Sequence, residues 1–186
     1  MVRFSISSEL LARLRALRDK RQKERSPSQE GTPQPLGEIF AALGQDRSPL
    51  DLARQYCDGM NASQDQVEAQ YDAFLIDPGM GPMTYLTADG RIIFDNRTWD
   101  DGDLTFATSL NEAAAALVVG ARKTGIVELI DLIPSLPDAL PCPKCQGKRW
   151  AKPFASFEHD IVCILCHGRG EATEARVAEA IEKGFV

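Results

Sequence analysis

Two Cys-x-x-Cys pairs contain the residues of this chain that are best suited to chemistry. They are Cys142-Pro-Lys-Cys145 and Cys163-Ile-Leu-Cys166. Four thiolates are a complete tetrahedral ligand set for one zinc ion, and two pairs joined by a short insert have the spacing of a zinc ribbon. The sequence therefore predicts a structural zinc site with Cys142, Cys145, Cys163 and Cys166 as its ligands.

Glycines follow the two pairs at matching positions. Gly147 and Gly168 have the same offset from their pairs, and Gly170 comes after the second pair. A zinc knuckle turns the backbone tightly around the metal, and glycine adopts the positive φ of such a turn at little cost. Amides in the turn can then point at the thiolate sulfurs. We therefore expect two similar knuckles.

A redox role is the alternative for these cysteines. A thioredoxin-like motif has a strand before its cysteine pair and a helix after it. Here Pro141 precedes the first pair, and a turn with glycine follows each pair. The chain also shows no secretion signal, which indicates a reducing compartment. These features favour zinc over redox chemistry and predict a protein of the bacterial cytoplasm.

The pattern Cys-x-x-Cys-x-Gly-x-Gly resembles the zinc-binding repeats of DnaJ-type chaperones. Residues 163–170 match it in full, whereas residues 142–149 have Arg149 in place of the last glycine. The resemblance covers about thirty residues. It implies the fold of the metal site but not co-chaperone activity, because the chain has no J-domain signature.

Basic and aromatic residues surround the cysteine pairs. Trp150, Phe154 and Phe157 are expected to cover the metal site. Together with nearby cations, some of them could instead form a nucleic-acid-binding patch. That patch would consist of Lys144, Lys148, Arg149, Trp150, Lys152 and Phe154. The two histidines, His159 and His167, also lie in the ribbon, but with four cysteines present neither is assigned to zinc.

Charge is segregated along the 186 residues, whose net charge is −6. Residues 1–25 hold eight Lys or Arg and three Asp or Glu, a net of +5. Residues 36–140 hold six Lys or Arg and seventeen Asp or Glu, a net charge of −11. Residues 141–170 hold five Lys or Arg and two Asp or Glu, a net charge of +3. An acidic surface attracts basic partners and repels nucleic acid. The middle of the chain therefore predicts a basic protein partner.

The N-terminal region predicts a basic amphipathic helix over residues 1–25, capped at Ser7 or Ser8. One side of this helix carries Leu10, Leu11, Leu14 and Leu17. Docking through these leucines, or self-association, is favoured over contact with a membrane surface or nucleic acid. Residues 26–37 are rich in Pro, Ser and Gly and predict a disordered linker. No apolar run is long enough to span a membrane.

The rest of the chain predicts an α+β fold in which helices pack on a mainly antiparallel sheet. The acidic domain is expected at 38–140, the zinc ribbon at 141–171 and a C-terminal helix within 172–186. Within the acidic domain, we expect helices at 38–43, 49–60, 64–75 and 110–122 and strands at 83–87, 91–94 and 104–108. Ser48 is expected to cap the helix at 49–60, with Pro49 at its first position, and Ser63 to cap the helix at 64–75. Residues 126–133 are either a last strand or a helical turn.

The acidic domain shows no catalytic constellation, so we predict that the protein is not an enzyme, and no small-molecule substrate is evident. Cys57 is expected to be a small buried hydrophobic residue rather than a nucleophile. An acidic loop could hold calcium, although turn formation explains it more simply. Its residues are Asp95, Asn96, Asp100, Asp101 and Asp103.

The order of elements over residues 45–133 resembles the SUKH superfamily, which includes bacterial toxin-immunity proteins and a fungal cell-wall regulator. The residues that carry the resemblance are the Asp-Gly turn within 85–95, the strand at 104–108 and the helix that opens at 109–113. The resemblance implies an α+β domain that binds other proteins. An immunity protein against a basic nuclease toxin would need an acidic surface. The alternative is a nucleic-acid- or ribosome-associated factor that uses the basic ribbon.

Overall fold

A computed structural model describes residues 2–25, 48–79, 82–97, 102–153 and 158–184. The fold is α+β, as predicted, and the chain divides into two compact units, Arg3–Ala107 and Thr108–Val186. The helix expected at 110–122 therefore belongs to the same unit as the cysteine pairs. The linker expected at 26–37 and the helix expected at 38–43 lie outside the described residues.

Helix α2, Pro49–Tyr71, is one continuous helix in a region where the sequence predicts two. It begins as expected, with Pro49 in its first turn and the Ser48 side chain accepting a hydrogen bond from the Asp51 amide. Ser63, the expected cap of a second helix, lies inside α2 instead. Its hydroxyl donates to the buried Asp95 carboxylate at 2.5 Å, so a tertiary contact uses the group that would otherwise cap a helix.

Four antiparallel strands form the sheet of the first unit in the order β1-β2-β3-β4. They are β1 Ala73–Asp77, β2 Met83–Thr87, β3 Ile92–Asp95 and β4 Leu104–Phe106. The predicted hairpin at the Asp-Gly turn is confirmed, since Leu86 pairs with Ile92 and Gly90 has φ +83°. Strand β1 was predicted as the end of a helix. Its first four residues are all buried, and such a run has no alternation that would reveal a strand.

Side chains from α2 and the sheet form the core of the first unit. Val67 of α2 packs with Leu75, Met83, Tyr85 and Ile93 of three successive strands. All five are at most 5% exposed, so one face of the sheet is closed by α2. Burial of these apolar side chains is the main favourable contribution to the stability of this unit.

The N-terminal helix α1, Ser8–Glu24, docks on the first unit through Leu10 and Leu14, which are buried. Its cap is Ser7, whose hydroxyl accepts from the Leu10 amide. This agrees with the expectation of a helix docked by its leucines.

Arginines of α1 extend this docking to the edge of the sheet. Arg18 donates to the Ala73 carbonyl and Arg21 to the Leu75 carbonyl, and both carbonyls belong to the edge strand β1. Arg18 and Arg25 also form ion pairs with Asp72 and Asp65. The basic N-terminal segment therefore neutralises part of the acidic segment of its own unit.

Asp95 has a structural role in the first unit. Its carboxylate accepts two hydrogen bonds from the Arg97 guanidinium, at 2.9 and 3.0 Å, and a third from Ser63. Burial would raise the pKa of Asp95, but the hydrogen bonds from Arg97 and Ser63 hold this pKa below its usual value. The Asp95 carboxylate thus binds the Arg97 guanidinium rather than a calcium ion. Asp100 and Asp101, two other members of the suggested calcium loop, lie outside the described residues.

Cys57 is exposed on α2, so the prediction that it is buried was wrong. The buried residues of this helix are Leu52, Gly59, Ser63, Gln64, Val67 and Glu68. Cys57 falls outside the stripe that they define, and hydrophobicity alone did not reveal this orientation. Among the described residues, we find no helix that combines the length and the apolar character of a membrane span.

The second unit starts with helix α3, Leu110–Thr124, which runs from its Ser109 cap to Gly125 in the left-handed conformation. The ambiguous run that follows is a 3₁₀ helix, Val127–Leu132. Four two-residue strands come next, and helix α4, Glu174–Glu182, completes the described part. The strands are β5 Leu140–Pro141, β6 Trp150–Ala151, β7 Ile161–Val162 and β8 Glu171–Ala172.

Replacement of Leu14 by alanine tests the docking of α1. Leu14 is 0% exposed, so we expect Leu14→Ala to lower the free energy of unfolding by about 2–5 kcal/mol, from lost burial and the cavity it leaves. Leu50→Ala makes the same chemical change at a side chain that is 60% exposed and should cost less than about 0.5 kcal/mol. Equilibrium urea unfolding measures both values. Equal effects of the two substitutions would contradict the docking.

Candidate metal centre

The sulfur atoms of the four predicted ligands lie together in the second unit. The Sγ atoms of Cys142 and Cys163 are 3.8 Å apart, and those of Cys145 and Cys166 are 3.7 Å apart. All four sulfurs lie within 4.8 Å of one another. A tetrahedral zinc ion with Zn–S bonds of about 2.3 Å requires S···S separations of about 3.8 Å. The cluster therefore has the dimensions of a four-thiolate metal site.

Two short β-ladders bring the cysteine pairs together. Strand β5 before the first pair is antiparallel to β8 after the second pair, and β6 after the first pair is antiparallel to β7 before the second. The amide of Cys142 donates to the Gly170 carbonyl, and the amide of Cys163 donates to the Arg149 carbonyl, each at 2.9 Å. Equivalent hydrogen bonds thus link the two halves in both directions, in a local two-fold arrangement.

The turns after the two pairs have matching backbone conformations, as the sequence predicts. Each has three residues with positive φ, at corresponding positions. In the first turn these are Gln146 (φ +51°), Gly147 (+81°) and Arg149 (+71°), and in the second they are His167 (+49°), Gly168 (+78°) and Gly170 (+81°). The Gly170 amide lies 3.4 Å from the Cys166 sulfur. The expected direction of an amide toward a thiolate is therefore present in the second turn.

Arg149 occupies the position where the repeat pattern has glycine, and it adopts the same left-handed backbone. This conformation is unfavourable for a residue with a side chain. The Arg149 guanidinium donates to the carbonyls of Gly168, at 3.0 Å, and of Arg169. These hydrogen bonds tie the first turn to the second, so Arg149 belongs to the framework of the site.

Burial and hydrogen bonding shift the pKa values of three of the four thiols, those of Cys142, Cys163 and Cys166. Burial raises the pKa of the Cys142 thiol to about 11. A hydrogen bond from Cys166 lowers the pKa of Cys163 to about 5, and the same bond raises the pKa of Cys166. Cys163 is thus favoured as a thiolate over Cys142 and Cys166. A bound divalent cation would stabilise all four as thiolates and release the remaining protons.

Apolar residues of two elements cover the cluster. Leu165, which lies between Cys163 and Cys166, is 4% exposed, and Ala180 of α4 is 3% exposed. Both pack with the four cysteines. A Cβ atom at Gly168 would lie 3.2 Å from Val118 of α3, so this helix supports the second turn directly. Sequence reasoning placed no residue of α3 or α4 at the site. Phe154 and Phe157, the expected cover, lie outside the described residues.

The arrangement suits a structural metal ion. The cysteines are at most 3% exposed, and four protein ligands close a tetrahedral site, which leaves no open position for a substrate or water. The group of four cysteines does not include His159 or His167, which also lie in the described part of the ribbon. The sulfur separations also far exceed the length of a disulfide bond, about 2.05 Å. The residues present can therefore hold one metal ion, in keeping with a zinc-binding protein.

Comparisons with protein-family models, with curated proteins and with solved structures found no match to this chain.

Metal content tests the site. Purified protein should contain one equivalent of zinc, and Cys163→Ser should lose it and unfold the ribbon while the first unit keeps its structure. Cys57→Ser changes a cysteine outside the cluster and should retain the metal. Elemental analysis, together with amide hydrogen exchange of both units, measures these effects. Full zinc content in Cys163→Ser would exclude the proposed ligand set.

Two glycine substitutions separate backbone strain from steric conflict. Gly147 and Gly170 have the same φ of +81°. A Cβ atom at Gly147 meets nothing within 4 Å, whereas one at Gly170 would lie 2.9 Å from the Gly147 carbonyl oxygen. We expect Gly147→Ala to lower the free energy of unfolding by about 1–2 kcal/mol, because alanine is strained in the left-handed conformation. Gly170→Ala should cost clearly more and weaken zinc retention against a chelator. Equal retention by both variants would show that the close approach is unimportant.

Proposed function

We propose that this protein is a non-enzymatic zinc protein of the bacterial cytoplasm whose first unit binds a basic protein partner. Zinc is the metal best supported for the second unit, because a tetrahedral set of four thiolates is typical of zinc, and of iron in iron–sulfur proteins. A closed site of this kind stabilises the fold that surrounds it.

A non-enzymatic role is supported by the use of the reactive groups in the described residues. The four buried cysteines form the closed metal site. In the first unit, Asp95, Arg97 and Ser63 bind one another and join β3 to α2. We therefore assign structural roles to the cysteine cluster and to the buried ion pair of Asp95 with Arg97.

The charge that remains after α1 has docked supports a basic partner. Residues 3–107 hold twelve Lys or Arg and seventeen Asp or Glu, a net charge of −5. This surplus is smaller than the −11 of residues 36–140, because the first unit includes the basic N-terminal segment and leaves out residues 108–140, whose net charge is −2, but its sign is unchanged. A basic partner would still be attracted electrostatically.

The first half of α2 is the surface that we assign to the partner, and its exposure is the observation that carries the proposal. Leu50 is 60% exposed, and the side chain of the adjacent Asp51 is 65% exposed. Cys57 lies two turns further along the same side. An exposed apolar residue beside a carboxylate suits a protein interface, in which apolar contact provides affinity and charge provides selection.

Helix α2 and the antiparallel strands of the first unit follow the order of elements in the resemblance to the SUKH superfamily, whereas α3, the last helix of that resemblance, belongs to the second unit. On that basis we propose an immunity-type role, in which the partner is a basic toxin or another basic protein. The resemblance supplies the class of function, and the charge of the unit supplies the class of partner.

Charge reversal on α2 tests this function. The full-length protein is used to capture partners from a cytoplasmic extract, and the captured protein is then purified and titrated by calorimetry. We expect a basic protein whose affinity falls at least tenfold in Asp51→Lys and decreases with added salt. Glu182→Lys makes the same change on α4, in the second unit, and should bind like the wild type. A partner that is acidic, or that binds equally to both variants, would contradict the proposal.

A further inference from the structure

A cleft lies on the second unit beside the first turn of the metal centre. Its volume is about 630 Å³, within the range of about 300–1,000 Å³ that is common for ligand sites. Cations and one aromatic residue line much of it: Lys144, Lys148, Trp150 and Lys152, together with one carboxylate, Asp160. The metal ligand Cys145 also contributes to its wall.

The cleft is locally basic, although its unit is not. Residues 108–186 hold nine Lys or Arg and ten Asp or Glu, a net charge of −1, whereas three lysines and one aspartate line the cleft. Exposed charges act mainly within a Debye length, about 8 Å at physiological salt. An anionic ligand in the cleft would therefore experience the lysines more strongly than the distant carboxylates.

Lys144 and the two other lysines have different surroundings. Lys144 lies between Cys142 and Cys145 and is half-buried. With zinc bound, the metal and its four thiolates would carry a charge of about −2, which the charge of Lys144 would help to offset. Lys148 and Lys152 are exposed. They are the cations best placed to contact an anion from solvent.

Trp150 is held in position by Arg122 of α3. The Arg122 guanidinium lies 4.6 Å from the centroid of the Trp150 ring, a cation–π contact. Strand pairing of Trp150 with Val162 fixes the backbone at the same point. A positioned aromatic ring at the wall of a basic cleft is what a nucleobase requires for stacking, and the lysines provide partners for the adjoining phosphates.

We propose that this cleft binds single-stranded nucleic acid, independently of the partner of the first unit. Lys148 and Lys152 contact phosphates, and a base stacks on Trp150. Single strands fit this site better than duplexes, because only unpaired bases expose their faces to an aromatic side chain. An acidic peptide would use the lysines but has no comparable use for the tryptophan.

Arg149 is excluded from this site, contrary to the patch expected from sequence. Its guanidinium is occupied by the Gly168 and Arg169 carbonyls. Replacing Arg149 would therefore disturb the metal centre and would not report on ligand binding. Lys148 and Lys152 are exposed and can be changed without that effect.

Binding of the full-length zinc-loaded protein to a fluorescent 15-residue oligothymidylate tests the proposal. We expect micromolar affinity, with log K falling against log salt with a slope of about −1.4 for two contacts to a single strand. The double variant Lys148→Ala/Lys152→Ala should weaken binding at least tenfold and bring that slope close to zero, because both phosphate contacts are removed. Lys20→Ala removes an exposed charge on α1, in the first unit, and should bind like the wild type.

Tryptophan fluorescence provides a readout that charge alone would not change. Trp99 and Trp150 are the two tryptophans of the chain, so Trp99→Phe leaves Trp150 as the single reporter. Oligothymidylate should quench its emission, and Trp150→Ala with normal zinc content should lose about 5- to 100-fold in affinity. Affinity weaker than about 10⁻⁴ M at physiological salt would overturn the proposal. Equal affinity of the lysine double variant, or equally tight binding of polyglutamate, would also overturn it.

Discussion

The convergence of four thiol groups on one point organises the second unit. The strands on either side of the cysteine pairs have two residues each, and ladders of this length do not persist in water without further support. Apolar cover comes from few residues, among them Leu165 and Ala180. A module with so small a core usually depends on a metal or a disulfide for its stability. The ribbon, and the cleft that it forms, are therefore built around the cysteine cluster.

The two halves of the ribbon share a backbone design but differ in their surroundings. The second turn faces α3, where a Cβ atom at Gly168 would make an unusually close contact, 3.2 Å, with Val118. The first turn contributes to the basic cleft, through Lys148 and its neighbour Trp150. Arg149 joins the halves through carbonyl groups of the second turn. The second half thus packs the candidate metal site against α3, and the first half lines the cleft.

Intramolecular pairing changes the meaning of the charge pattern in the first unit. Along the sequence, a basic segment precedes a long acidic one, which suggests two separate surfaces. In the fold, Arg18 and Arg25 bind Asp72 and Asp65, and Arg21 caps a carbonyl of the edge strand β1. Unpaired edge carbonyls are sites of unwanted strand pairing, and arginine side chains from α1 cover them. The basic helix α1 therefore uses these arginines to stabilise its own unit.

The sequence by itself determined the features that depend on local chemistry. The four ligands followed from cysteine spacing, the helix starts from Ser48, Ser109 and their neighbours, and the hairpin from Asp89-Gly90. Each of these requires only residues that are close along the chain, so short patterns were sufficient.

The tertiary structure decided what depends on distant partners. Ser63 stays inside α2 because it binds Asp95, 32 residues away, and β1 is a strand because both of its faces are buried. Arg149 belongs to the metal framework because its guanidinium reaches carbonyls in the other turn. The contact of Arg122 with Trp150, which positions the ring at the cleft, is equally non-local. Such contacts leave no periodic signal in the sequence, since each is selected by packing rather than by neighbouring residues.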